Sequence, residues 1–455
     1  MHINKKGSAS IFLVITLASV LLVASVLIRS AGLAAGRSYG DAVFLLSGRS
    51  VLSEFDRKLF DNYGILGMRG DEETIREKLR YYSDASLKQT SGGLSGGVWL
   101  LPCSTGDIDV DLKGYSLIDI NVFEKQIFDD INNILVNNLR DYLLPEKDDT
   151  NNDSDKDSKT DENRSIGNKA IINNLPSQGL DGGMLPITTI ISQGIPDLDD
   201  LINGAGDVFL TTEYALARFT AAKTKIPRFA TGHEHFFRNE IEYIIAGKYS
   251  DKDNYNSIIT RLSLLRFALN EVTLHTNSEM IKEVNLVASL VQSIIPPGPW
   301  TPFIRELVIA AWCAIETAND ILLLEHGEKV PIYKKGQNWA TGSDSIVTAI
   351  EDYILSGIDA GDMSGIEAQA LSTTSGFHGI KPRVVEGFTY IDHLRMFLYF
   401  TPRDTKLLRI MDLIQLNMKV GYYSDFLIQE HFTGFRYQVV MNKDIYNYEQ
   451  RYRKD

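Results

Sequence analysis

An apolar run from Ile11 to Ile28 constrains this chain more than any other feature. Its only polar interruptions are Thr16, Ser19 and Ser25, whose hydroxyls can bond back to their own helix. At about 1.5 Å per residue a helix of this length reaches ~27 Å, enough to cross a hydrocarbon core. Lys5 and Lys6 precede the run and Arg29 closes it. The pattern predicts a basic leader over 1–10 and a single transmembrane helix over 11–28. A cleaved signal peptide is the competing reading, because Ser30-Ala31-Gly32 and Ala34-Ala35-Gly36 supply the small residues such a site needs. The run exceeds the usual signal core, which favours the anchor. Flanking positive charge is nearly balanced. Orientation therefore rests on the short leader and long acidic remainder, which predict a cytoplasmic N-terminus and an extracellular bulk.

That bulk has the composition of a folded body. With 44% apolar and 23% charged residues it can bury sizeable cores, and 455 residues suggest two to three domains. A net charge of −13 argues against a nucleic-acid surface. The only cysteines, Cys103 and Cys313, give no disulfide framework, and Cys313 sits in an apolar stretch that predicts a buried, inert thiol.

The fold class read from periodicity is α+β and predominantly helical, with a few strands and a C-terminal β-hairpin. Helical spacing continues from Ser30 to Phe60, with glycines at 32, 36, 40 and 48 as candidate breaks and Asn62-Tyr63-Gly64 as the stop. A second helix runs from Asp71 to Tyr82, followed by a Gly/Ser loop over 91–97. Asp107 to Leu112 alternates strictly, as a half-buried strand does. Ile118 to Leu144 returns to helical spacing. Together these form a pilin-like helix plus α/β module over 29–145. Residues 146–169 are an acidic linker, mostly without apolar residues and predicted to be disordered.

Residues 170–455 read as a helix-rich ectodomain ending in the hairpin. Its helices are predicted over 240–246, 258–274, 280–295, 301–324, 344–356, 390–400 and 406–420. Pro296-Pro297-Gly298-Pro299 is a hard break. Beyond Gly421 aromatic and β-branched residues predict the hairpin, with Thr433-Gly434 at or near its turn. Glu283, Asn285 and Gln292 interrupt one further apolar segment, and Glu316, Asn319 and Asp320 another. Both are therefore read as buried helices and not membrane spans.

Candidate chemistry is sparse. His233-Glu234-His235 with Glu240 and Glu242 is the densest ligand group, and in a strand positions 233 and 235 would face one side. No His-x-x-x-His or Glu-x-x-His pair supports a zinc enzyme, so the group reads as a polar lead-in to the helix at 240. Asp153-Ser154-Asp155-Lys156-Asp157 imitates a calcium loop, but Ser158 and Arg164 stand where Gly and Glu belong. Asp107, Asp109 and Asp111 are the solvent side of the strand. No nucleophile elbow, P-loop or dinucleotide fingerprint is present. The expectation is no enzyme activity, no catalytic residue, no metal and no cofactor, with a small-molecule substrate not expected.

Charges inside apolar stripes are more telling, because a buried charge needs a partner. Arg266 lies between Leu262 and Leu269 on one helical face, while Glu316 and Asp320 lie four apart in an apolar helix. Arg266 is predicted to pair with Glu316 or Asp320 as a structural link. Arg409 and Asp412 form a similar case.

Seven stretches together carry a resemblance. Gly7-Ser8-Ala9-Ser10-Ile11-Phe12-Leu13 resembles the opening of pilin-like proteins. The segment Ser53 to Ile65 resembles the region just outside the membrane in an uncharacterised clostridial family. So do Glu240 to Lys248, Ala311-Trp312 with Glu316, Gly327 to Pro331, Tyr390 to Arg395 and Arg409 to Gln415. That family is associated with tight-adherence (Flp-type) pilus systems, and its start is similar to TadE/TadG-like pseudopilins. The resemblance implies a minor pilin-like or pilus-associated surface component, with other pilin-like or assembly proteins as partners. It also implies a candidate prepilin cleavage between Gly7 and Ser8. Cleavage there would put Phe12 at the fifth mature position, where type IV pilins carry Glu, which better fits a component that stays in the membrane. Ser19, Ala24, Ser25, Ala31, Gly32, Ala34, Ala35 and Gly36 offer a small-residue face for packing with other such helices.

Overall fold

The computed structural model describes residues 5–89, 105–143, 172–180, 186–193, 206–223, 235–294, 301–335, 338–342, 346, 387–441 and 444–452. The expected Gly/Ser loop, the acidic linker with its calcium-loop imitation, the proline break, the bulk of the 344–356 helix, Cys103 and His233-Glu234 lie outside them. The chain divides into two compact units, one of residues 1–126 and 427–455, the other of residues 127–426.

The first unit is built on α1, an uninterrupted helix from Lys5 to Leu52. From Ile11 to Ile28 its apolar side chains stand exposed, with Phe12 at 70%. Thr16, Ser19 and Ser25 bond to carbonyls three or four residues back, satisfying their hydroxyls without any outside partner. Beyond residue 35 one stripe becomes buried: Gly36, Gly40, Val43, Phe44, Ser47, Gly48, Val51 and Leu52. Spacings of three and four place them on one face. The helix does not break at its glycines. Gly48 faces the sheet so closely that a Cβ there would lie 2.6 Å from the Tyr437 hydroxyl and 2.7 Å from Gln450.

The surface under that stripe is a three-stranded antiparallel sheet of β2 (Thr105–Asp111), β4 (Gly434–Met441) and β5 (Asp444–Arg451), in the order β2-β4-β5. Ile108 and Val110 alternate with exposed Asp107 and Asp109, the pattern of a strand buried on one face. Phe435, Tyr437, Val439 and Met441 complete that face and pack with Phe44, Val51, Leu52 and with Ile75 and Leu79 of α3 (Glu72–Gln89). Tyrosine hydroxyls bind α1 from the sheet side. Tyr437 donates to the Phe44 carbonyl at 2.6 Å, Tyr448 to Asp41 at 2.8 Å and Tyr452 to the Leu52 carbonyl at 2.6 Å. The short α2 (Arg57–Tyr63) is capped by Asp56 and ends at Gly64. A two-stranded ribbon pairs β1 (Met68–Arg69) with β3 (His431–Phe432).

Three expectations change here. The helix from Ser30 ends at Leu52, and Asn62-Tyr63-Gly64 closes the separate α2. The C-terminal hairpin completes the sheet begun by β2, so it belongs with the N-terminal part of the chain and not with the 170–455 body. Its turn falls after Met441, while Thr433-Gly434 joins β3 to β4.

Helix α4 (Ile120–Leu143) carries the chain into the second unit. Around it in sequence follow α5 (Ile187–Gln193), α6 (Gly206–Arg218), α7 (Glu240–Ala246), α8 (Asp251–Thr276), α9 (Ser278–Ile294), α10 (Ile304–Glu325), α11 (Tyr390–Tyr399) and α12 (Arg403–Gly421). Helix α10 is apolar enough to cross a membrane, yet 89% of its most apolar window is buried. Trp312, Cys313, Val308 and Ile315 pack there against Leu274 of α8 and Val284, Val287 and Val291 of α9. Burial holds the Cys313 thiol well above its ordinary range, so it stays protonated. A capping box between Thr389 and Asp392 starts α11.

Candidate functional site

Two features stand out on chemical grounds: the exposed apolar half of α1, and a set of charges locked inside the helical unit. Helix α1 is long and apolar enough to cross a membrane, with a mean hydropathy of 3.0 over its best window and none of that window buried. A signal sequence near an N-terminus meets the same description. Gly7 and Ser8, the candidate cleavage pair, lie in the first turn of this helix. Of the small residues expected to face other helices, Ser19, Ser25, Ala31, Ala34 and Ala35 are exposed, whereas Gly36 is buried within the unit.

Inside the helical unit, α8 and α10 pack side by side and bring Arg266 to Asp320. Arg266 Nε and Nη2 donate to Asp320 Oδ2 at 3.0 and 2.9 Å. Its Nη1 donates to the carbonyls of Pro331 and Ile332. Asn270, one turn on, adds a bond to Asp320 at 3.2 Å. Lys334 closes the set, reaching Glu316 and, at 2.5 Å, Asp320 Oδ1. Glu316 also accepts from Ala340 N, Thr341 N and the Thr341 hydroxyl. All four ionic groups are buried, and their formal charges cancel. Burial alone would raise the Asp320 carboxyl, but Arg266 and Lys334 overcome it and hold that carboxyl below its ordinary range. Sequence reasoning missed Lys334, which lies between helices where no periodic stripe marks a buried position. Each of the four ionic groups is partnered, although Asn270 Oδ1 is not, and the set fastens Pro331, Ile332, Lys334, Ala340 and Thr341 onto α8 and α10.

Arg409 and Asp412 resolve differently from the expected pair. Arg409 Nη1 donates to the carbonyls of Ile244 and Ile245 at 2.9 Å, the C-terminal end of α7. A cation suits that helix end. Gly247, at φ +68°, allows the close approach, since a Cβ there would collide with the guanidinium. Asp412 accepts from Ser177 N at 3.0 Å and the Tyr243 hydroxyl at 2.8 Å. Burial raises the Asp412 carboxyl despite those bonds and the nearby Arg409 charge.

Of the Glu240 ligand group, His235, Glu240 and Glu242 are described, whereas His233 and Glu234 lie outside the described residues. His235 Nδ1 lies 3.0 Å from Glu240 Oε1, which also accepts from Asn417 at 2.6 Å. Glu240 Oε2 takes Thr220 N and the Thr220 hydroxyl. Glu242, two residues on, accepts from Ala222 N and the Tyr390 hydroxyl, both at 2.9 Å and both on Oε1. The two carboxylates thus clamp the 220–222 segment onto the first turn of α7. Among the described residues no group of three or more His, Cys, Asp and Glu side chains is arranged to hold a metal.

A sequence profile of the family of unknown function DUF5702 matches residues 123–443, more than half of the chain. The chain belongs to DUF5702. No curated protein and no solved structure matches it. The DUF5702 match contains the Arg266–Asp320–Lys334–Glu316 set and the α7 clamp, and leaves the apolar half of α1 outside it.

Proposed function

We propose that this DUF5702 protein is a single-pass, membrane-anchored surface component, pilin-like or pilus-associated, whose role is assembly or adhesion and not catalysis. The observation that carries the reading is the division of α1: one unbroken helix is predominantly apolar and exposed over 11–28, with only Ala24 half-buried, and packed on a sheet along one stripe over 36–52. Exposed apolar surface of that extent needs lipid or another apolar cover. A continuous helix then couples the bilayer directly to the folded unit. The short basic leader favours a cytoplasmic N-terminus with the bulk outside. Saturated buried charges support structure over chemistry, because no described side chain among them is left as a nucleophile or an open ligand set.

The test is the N-terminus and membrane partition of the protein recovered from its native envelope, by intact mass after carbonate extraction. A membrane-retained chain starting at Met1 supports a permanent anchor. A start at Ser8 supports prepilin-type processing. A soluble chain starting beyond about Ala31 would mean a cleaved signal peptide and end the anchored reading. A tethered metalloenzyme is the rival that the His235–Glu240 contact keeps testable, and stoichiometric zinc in the purified chain would favour it.

A further inference from the structure

Glu242 is fully buried, yet it lacks what other buried acids in the same unit have. Both of its hydrogen bonds fall on Oε1, and Oε2 has no partner. Among the described residues no Lys, Arg or His pairs with it. Apart from Arg261, the charged and titratable groups on the surrounding elements are committed elsewhere or of the wrong sign. On α8, Asp251 accepts from Arg238 N and Asn239 N, and Tyr255 donates to Glu325 of α10. Arg261 of α8 keeps Nη1 buried without a partner and forms neither a hydrogen bond nor an ion pair with Glu242. On α11, Asp392 is bound in the capping box and to Arg395, and His393 Nδ1 meets the Thr389 carbonyl. On α12, Arg409 is directed at the end of α7, and Asp412 holds Tyr243. Within α7, Glu240 is bonded to His235, Asn417 and Thr220. Two carboxyl–phenol pairs, Glu242–Tyr390 and Glu325–Tyr255, lie near one another, with the tyrosine rings 6.5 Å apart.

We propose that Glu242 is a protonation switch governing how firmly α11 and the 220–222 segment are held on α7. A neutral carboxyl suits this site better than an ionised one, since Oε1 still accepts from Ala222 and Tyr390 and no net charge is buried, at the cost of one unpartnered O–H on Oε2. Ionisation places a full charge on a group with no cation and one unpartnered oxygen, which favours opening the contact to water. The electrostatics agree with the geometry: burial raises the carboxyl to about 7, against the pull of its own backbone N–H, the Tyr390 hydroxyl and the Ala222 amide, and with the charge of Asp251 adding to the rise. The switch needs no ligand and does not depend on the anchored reading.

Hydrogen exchange of the full chain in detergent, corrected for intrinsic rates between pH 5.5 and 8.5, tests it directly. Protection of the Ala222 amide and of α11 is expected to fall at least tenfold between pH 5.5 and about 7 in the wild type, to level off above that, and to stay level throughout in Glu242→Gln. Infrared spectra should show a protonated-carboxyl band that titrates near neutrality and is missing from the variant. Equal pH dependence in the two proteins would overturn the proposal. Should Glu242→Gln fail to fold, Tyr390→Phe serves instead. It removes a donor that favours the carboxylate, so the midpoint must move to higher pH, and an unmoved midpoint would equally overturn the switch.

Discussion

Asp320 on α10 and Glu242 on α7 are both fully buried in the helical unit, and burial pushes each toward its neutral form. They end at opposite extremes. Asp320 is met by two cations, Arg266 and Lys334, and by Asn270, so it stays ionised below its ordinary range. Glu242 is met by an amide and a phenol, and its carboxyl rises to about 7. Depth of burial therefore does not decide whether a carboxyl in this protein is a charge. The partners do, and they make one acid a fixed link and the other a titrating one.

The comparison breaks most violently at Arg266. Arg266→Ala strips Asp320 of its two-pronged partner and should cost about 3–5 kcal/mol, read as a lowered urea midpoint. Unchanged stability would mean the charge set is not what holds α8 to α10. The next effect is the pH dependence, where the two acids have opposite signs. Glu242 keeps its proton up to about 7 when folded and releases it near 4.5 when unfolded. Its neutral form therefore favours folding at low pH, and stability falls by about 3 kcal/mol as pH rises through that window. Asp320, depressed below 3.8, contributes stability that is present above that value and lost as pH falls through its folded pKa. Denaturation series from pH 3 to 9 should show the first slope vanish in Glu242→Gln and the second survive there. Lys334→Met is milder, about 2 kcal/mol, because Glu316 retains three donors and Asp320 retains Arg266. Smallest is Tyr390→Phe, about 1 kcal/mol at pH 8.5 and less at pH 5.5, since a phenol donates more strongly to a carboxylate than to a neutral acid. Equal losses at both pH values would show that Glu242 does not change charge between them.

Local structure was largely legible. The α7 boundaries, the amphipathic β2 and the apolar α10 follow from periodicity, because each is set by residues within a few positions of one another. The Arg266–Asp320 contact was legible too, since a charge in an apolar stripe advertises its need for a partner. What did not show was anything fixed by distant pairing. Nothing in Ile108 or Val110 specifies Val439 and Tyr437 as their strand neighbours, more than 300 residues away. Glu242 was read only as part of a ligand group, because a sequence gives the type of an acid and not the absence of a cation beside it. Arg409 and Asp412, three apart on one helix, suggested each other. The backbone end of α7 and the Tyr243 phenol, invisible in a string of letters, took them first.

The sheet that grips α1 is assembled from strands more than 300 residues apart, with β2 at 105–111 and β4 and β5 at 434–451. During synthesis the ribosome therefore delivers the helix first and two of its three supporting strands more than 300 residues later. The helical unit, contained within 127–426, can close while the first unit is still waiting. Until Tyr437, Tyr448 and Tyr452 emerge, the stripe from Val43 to Leu52 has no tyrosine hydroxyls to bind it and only part of its apolar cover. Emergence of β4 and β5 is thus itself the event that locks the helix, and a chain stalled before Gly434 holds its first helix without those strands or their tyrosines.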